Sequence, residues 1–91
     1  MLEQIFGNTT IVRILESFLK KENRDRWMNL REVGRQSNID SGTVSKMIDT
    51  LVKNRIISEE SPSRRARIFK LNQENKYVHH LIKFYENLLK G

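Results

Sequence analysis

The stretch from Asp40 to Arg55, DSGTVSKMIDTLVKNR, restricts most tightly what this chain can become. Val44, Met47, Ile48, Leu51 and Val52 recur at intervals that gather them on one stripe of an α-helix, so that stripe is expected to face a core. The other side of the same helix offers Ser41, Gly42, Thr43, Ser45, Lys46, Asp49 and Thr50, with no bulky apolar residue among them. Such a face can approach a polar surface closely and hydrogen-bond to it. Asp40 and Ser41 both suit an N-cap, because a side-chain oxygen there accepts from backbone N–H groups that the first turn leaves unpaired.

The preceding NLREVGRQSNID reads as a shorter helix and a tight turn. Asn29 followed by Glu32 has the spacing of a capping box, Leu30 and Val33 supply an apolar face, and Gly34 lets another helix come close. Ser37 to Asp40 form the turn, with Ile39 pointing inward. Together Leu30, Val33, Gly34, Ile39, Val44, Ile48 and Leu51 make the pattern of a helix-turn-helix, whose second helix enters the major groove of DNA.

A chain of 91 residues has room for one small core. Seventeen Lys and Arg against eleven Asp and Glu give +6 and a sequence pI near 10.0, a balance that points to an anionic partner or serves solubility alone. With no cysteine, disulfides, thiolate metal sites and thiol redox sensing are excluded. No apolar run approaches the ~20 residues of a membrane span and the start lacks the pattern of a signal peptide, so a cytoplasmic location is expected.

Around the central stretch, Leu2, Ile5 and Phe6 form an apolar lead-in. Asn8 is the expected cap of a first helix running from Thr9 to about Lys21, with Ile11, Ile14, Leu15, Phe18 and Leu19 toward the core. KKENRDR, residues 20–26, reads as a solvated connection. Trp27 and Met28 are expected to be a very short extended segment that lowers the indole onto the core. Ile56 and Ile57 open a strand that Pro62 breaks, and Phe69 and Leu71 are the inward residues of the returning strand. Residues 61–70 carry Arg64, Arg65, Arg67 and Lys70 and no acid, which concentrates positive charge at a loop tip.

SGTVSKMIDTLVKNRII, the basic loop and RIFKLN, with the opening LEQIFGNTTIVRILESFL, resemble small winged-helix regulators. The likeness is to the multiple-antibiotic-resistance and arsenic-repressor types and their compact archaeal relatives. It covers about residues 2 to 72 and implies a mainly helical α+β fold: helix, short strand, helix, recognition helix and two-stranded wing. One departure is Arg55, where these proteins commonly carry Gly; Asn54 is then expected to serve the left-handed helix exit.

The resemblance implies a transcription regulator, of repressor type, on double-stranded DNA. Ser41, Gly42, Thr43, Ser45, Lys46 and Thr50 would reach bases and phosphates, Asp49 less directly. Arg64 and Arg65 would lie at the minor groove, Arg67 and Lys70 on phosphates, and Arg31 and Arg35 on the flanking backbone. Asp49 can accept from a cytosine amino group or pair with Lys46 or Lys53. Residues 1–72 would form the DNA-binding domain. Residues 73–90 read as a last helix, capped by Asn72, with a wide apolar stripe. Tyr77, Val78, Leu81, Ile82, Tyr85, Leu88 and Leu89 would then form the interface of a homodimer suited to an inverted repeat; folding back on its own domain is the alternative.

His79 and His80 are adjacent, so on a helix they diverge by about 100° and do not share a metal as an i, i+4 pair would. GxSxG, GxxxxGK and GxGxxG motifs are absent, and neither an enzyme nor a cofactor is expected. Two competing readings stand beside DNA regulation: a protein-interaction module of the same fold, and general chromatin or RNA binding.

Overall fold

The computed structural model describes residues 2–7, 9–63 and 66–90. Its elements are α1 (Glu3–Phe6), α2 (Thr10–Leu19), a 3-10 turn (Lys21–Asn23), β1 (Met28–Asn29), α3 (Leu30–Ser37), α4 (Ser41–Lys53), β2 (Ile57–Ser63), β3 (Ala66–Leu71) and α5 (Lys76–Lys90). The strands form one antiparallel sheet in the order β1-β3-β2. This is a winged helix with an added C-terminal helix.

One core unites the helices with the inner face of the sheet. Ile14, Phe18 and Leu19 of α2, Val33 of α3, and Val44, Ile48 and Leu51 of α4 meet Met28, Ile57, Phe69 and Leu71. Burying each large apolar side chain is worth ~1.5–3 kcal/mol, so α4 is anchored chiefly through its three buried residues. Met47, expected on that stripe, is 39% exposed instead. It lies at the stripe's edge, and Val44 and Ile48 already fill the contact.

The first helix is capped by Thr9, whose hydroxyl oxygen accepts from the Val12 N–H at 3.3 Å; Asn8 lies outside the described residues. The connection after α2 is not simply solvated. Asn23 is completely buried and its amide donates to the Ser17 carbonyl at 2.7 Å and to Gln36 Oε1 at 3.4 Å. A buried amide with its bonds satisfied pins a loop as an apolar side chain would, without an apolar signal in the sequence.

Trp27 and Met28 divide differently from the expectation. Met28 pairs with Phe69 across β1 and β3 and is buried, whereas Trp27 is 39% exposed. Neighbouring residues of a strand face opposite sides, so only one of the two can enter the core. Pro62 does not end β2. It sits where β2–β3 pairing loses regular register, between Glu60 and Ser63, a place that tolerates a residue without an N–H.

At the end of α4, Arg55 and not Asn54 takes the left-handed conformation, with φ of +61°. Asn54 stays at φ −87° and ψ 8°. The Ile56 N–H reaches the Leu51 carbonyl and the Arg55 N–H the Val52 carbonyl, both at 3.0 Å, the paired bonds of a Schellman ending. The Arg55 carbonyl is gripped by the side-chain amides of Asn72 at 2.9 Å and Asn75 at 3.0 Å. That grip ties the exit of α4 to the start of α5 and holds a conformation that arginine does not favour.

The last helix begins at Lys76, later than expected, and Asn75 caps it by accepting from the Tyr77 N–H at 2.9 Å. Asn72 accepts from the Glu74 N–H in the preceding turn, so Glu74 precedes the helix. Val78, Ile82 and Tyr85 are buried in the same core as the other elements.

Candidate nucleic-acid interface

The turn between α3 and α4 is built from three local choices. Asn38 adopts φ +59°, ψ +45°, which asparagine tolerates better than most residues. A Cβ on Gly34 would stand 2.6 Å from the Ile39 carbonyl oxygen, so only glycine admits the returning chain this closely. Arg13, from α2, donates Nη2 to the carbonyls of Ser37 at 2.9 Å and Asn38 at 3.0 Å. These contacts set the angle at which α4 leaves the turn.

Asp40 caps α4 as expected. Its Oδ2 accepts from the Thr43 N–H at 3.0 Å and its Oδ1 from the Thr43 hydroxyl at 2.7 Å, and these bonds hold its carboxyl below its ordinary range. The Thr43 hydroxyl is therefore engaged in the cap. Ser41, Gly42, Lys46, Asp49 and Thr50 are exposed along the outer face, with Ser45 half-buried beside them.

On α3, Asn29 accepts from the Glu32 N–H at 2.9 Å. The Glu32 carboxylate pairs with Arg35 and, at 2.6 Å, with Arg26, and Arg35 first and then Arg26 hold that carboxyl below the usual range. Arg31 and Arg35 are exposed near the start of α4. Asn29, Arg31, Ser41, Gly42, Ser45 and Arg67 line much of an open cleft of about 530 Å³ between α3, α4 and β3.

Arg67 occupies the junction of wing and helix. Its Nε and Nη2 donate to the two Glu59 oxygens at 2.8 and 3.0 Å, Nη2 also reaches Asp49 Oδ1 at 2.6 Å, and Nη1 lies 3.2 Å from the Ser45 hydroxyl. The guanidinium also stands 5.1 Å from the centre of the Phe69 ring. Glu59, and then Asp49, hold Arg67 protonated more firmly than a free guanidinium, and Arg67 lowers the Glu59 carboxyl in return. Asp49 thus pairs across to β3 rather than with Lys46 or Lys53 along its own helix.

Lys70 is not brought together with Arg67. The alternation of β3 places it on the outer face of the sheet, with Nζ 5.7 Å from the centre of the Trp27 ring. Arg64 and Arg65 lie outside the described residues. Glu59 and Arg13 were not singled out from the sequence. The hairpin register exposes Glu59 in hindsight, because pairing Glu59 with Phe69 puts Arg67 on the same face, two residues along.

Of the residues expected at a dimer interface, Val78, Ile82 and Tyr85 are 0%, 9% and 5% exposed, and little of their surface is left for a partner. Tyr77 and Leu89 are exposed, Leu81 and Leu88 half-buried. His79 and His80 are both exposed. Among the described residues no helix is long and apolar enough to cross a membrane.

No family model and no curated protein matches the chain. Solved structures do. A protein described as a possible transcriptional regulator from Methanosarcina mazei Go1 is similar over 98% of this chain and 79% of its own, with a TM-score of 0.61 and 18% identity. A mutant of TubR, from type III plasmid segregation, matches over 99% and 91%, with a TM-score of 0.68 and 14% identity. NadR, solved in complex with 4-hydroxyphenylacetate, matches over 98% and 66%, with a TM-score of 0.60 and 15% identity. At these identities the likeness is one of fold.

Proposed function

We propose that this chain is a cytoplasmic, double-stranded-DNA-binding transcription regulator that reads a specific site with α4 in the major groove. The observation that carries the reading is the outer face of α4. It is polar and largely exposed from Ser41 to Lys46, with no bulky apolar side chain before Met47 at its edge; Arg31 lies beside it, and Arg35, although paired with Glu32, is exposed there too. Hydroxyls of Ser41, Ser45 and Thr50 and the close approach at Gly42 suit base edges, while the cations suit phosphates. Arg64 and Arg65, at the tip between β2 and β3, would follow the neighbouring minor groove. Lys70, on the outer face, would reach only phosphates beyond the wing, and Arg67 serves as a strut.

The regulator acts as a homodimer on an inverted repeat, as a repressor where its site overlaps a promoter, with residues 1–72 on DNA and 73–91 as the pairing element. Tyr77, Leu81, Phe84 and Leu88 follow one another at spacings of four, three and four, the seam of a helix pair. That seam lies beside the buried row of Val78, Ile82 and Tyr85, and the exposed Phe6 extends it, with its ring 5.9 Å from that of Phe84. Two such subunits would present two α4 helices to half-sites about one turn, ~34 Å, apart.

Selection of bound sequences from a random duplex pool, with the mass in solution measured in parallel, tests this. An enriched inverted repeat and a dimeric mass are expected. Salt-sensitive binding without enrichment would transfer the protein to general chromatin or RNA binding, and absence of binding would favour an interaction module.

A further inference from the structure

We infer that Asp49, held by Arg67, selects cytosine at one position of each half-site, Arg67 being the positioning residue that orients it. The inference rests on the DNA-binding reading above and adds which base the site requires.

Asp49 stands on the outer face of α4 and is exposed, with its side chain 63% accessible. Carboxylates on a surface that meets phosphates are repelled unless they find a donor, so Asp49 weakens binding to any duplex that gives it none. Its Oδ1 is fixed by Arg67 Nη2 at 2.6 Å. Arg67 in turn is held from the other side by the two-pronged bond to Glu59 and cannot follow a free rotamer. Among the described residues Oδ2 of Asp49 makes no hydrogen bond. The result is an anionic acceptor of fixed direction on the helix expected to enter the groove.

The bases differ in what they offer such a group. Cytosine presents its N4 amino donor at the major-groove edge. Adenine has an amino donor but an adjacent N7 acceptor, while guanine and thymine offer acceptors that repel a carboxylate. An ionised Asp49 therefore favours cytosine over all three. Two carboxylates, Glu59 and Asp49, face one guanidinium here, so the site retains a negative charge for the amino group to meet.

The experiment compares wild type, Asp49→Asn and Arg67→Lys in the same selection from a random duplex pool, followed by titration of the selected duplex. In that duplex each cytosine is replaced in turn by thymine or by 2-pyrimidinone, which lacks the amino group. For the wild type one cytosine per half-site is expected to be required, with a loss of roughly 5- to 150-fold on replacement. Asp49→Asn keeps a carbonyl acceptor but gains an amide donor that thymine O4 can meet, so it should lose the preference for cytosine over thymine while the other positions keep theirs. Arg67→Lys, which keeps the charge and loses the fork, should relax the same position alone. The inference is overturned if Asp49→Asn selects the same bases as wild type, or if it tightens binding to every duplex alike, which would make Asp49 merely repulsive. A wild type that binds no duplex overturns the DNA reading and this inference together, whereas a selected site unchanged in Asp49→Asn overturns this inference alone.

Discussion

Arg67 on β3 and Asp49 on α4 are joined by a 2.6 Å ion pair that spans the gap between wing and helix, and Glu59 on β2 holds the same guanidinium from the far side. A cation engaged twice has little to give a phosphate. Replacing Arg67 by alanine is therefore expected to leave the slope of log affinity against log salt unchanged, whereas Arg31→Ala or Lys46→Ala should each lower it by ~1. The pair is partly open to solvent, so the stability lost in Arg67→Ala should be modest, ~1 kcal/mol. Titrations across salt concentrations measure the slope; a drop of a full unit in Arg67→Ala would make Arg67 a phosphate ligand.

Arg55 bears a left-handed backbone that costs an L-residue ~1–2 kcal/mol relative to the right-handed form. Glycine removes that cost but loses more entropy on folding. Arg55→Gly is expected to raise stability by ~0.5–1 kcal/mol, and Arg55→Val, β-branched, to lower it. Denaturant unfolding compares the three proteins. Equal midpoints would mean that the grip of Asn72 and Asn75 on the Arg55 carbonyl, and not the side chain, decides the conformation.

What was legible in the sequence was what periodicity and local chemistry control. The stripe of Val44, Ile48 and Leu51, the cap at Asp40, the inward pair Phe69 and Leu71, and the tight place at Gly34 all follow from spacing or from the needs of a turn. Where two neighbours could each serve, local tendency does not decide between them. Asn54 suits the left-handed exit better than Arg55 on intrinsic tendency, but the side-chain amides that hold Arg55 come from residues 17 and 20 positions further on. The indole of Trp27 is expected on the core from its place beside a core helix, but strand register with Phe69 puts Met28 there instead. In the candidate site, the outer face of α4 was visible. The Arg67 strut was not, because it joins three elements whose relative placement no local spacing records.

Acid should loosen the fold from below about pH 5. Glu32, Asp40 and Glu59 have carboxyls lowered by their partners: Arg35 and Arg26 for Glu32, Thr43 for Asp40 and Arg67 for Glu59. A lowered folded-state value means that the unfolded chain binds protons first, so the stabilisation is present above the unfolded values and declines as pH falls through the folded ones. Thermal midpoints should hold steady from pH 8 to 5 as far as these groups are concerned and fall below that. Glu59→Gln should remove part of the decline; a variant with the same acid profile as wild type would take Glu59 out of this account.

The two apolar rows of α5 should separate under mutation. Ile82 belongs to the buried row, so Ile82→Ala is expected to cost roughly 2–5 kcal/mol and to leave subunit association unchanged at temperatures where the protein remains folded. Phe84 belongs to the outer seam, 37% exposed, with its ring 5.9 Å from that of Phe6. Phe84→Glu leaves the buried row of Val78, Ile82 and Tyr85 in place and, in the proposed dimer, sets a like charge opposite its own copy across a two-fold seam, so it should yield a folded monomer. Mass in solution and denaturant midpoint, read on both variants, distinguish the rows. If Phe84→Glu stays dimeric, the seam of Tyr77, Leu81, Phe84 and Leu88 is not the pairing surface. Such a monomer should also bind a single half-site far more weakly than the wild type binds the repeat, because the second α4 gains its effective concentration only through the first.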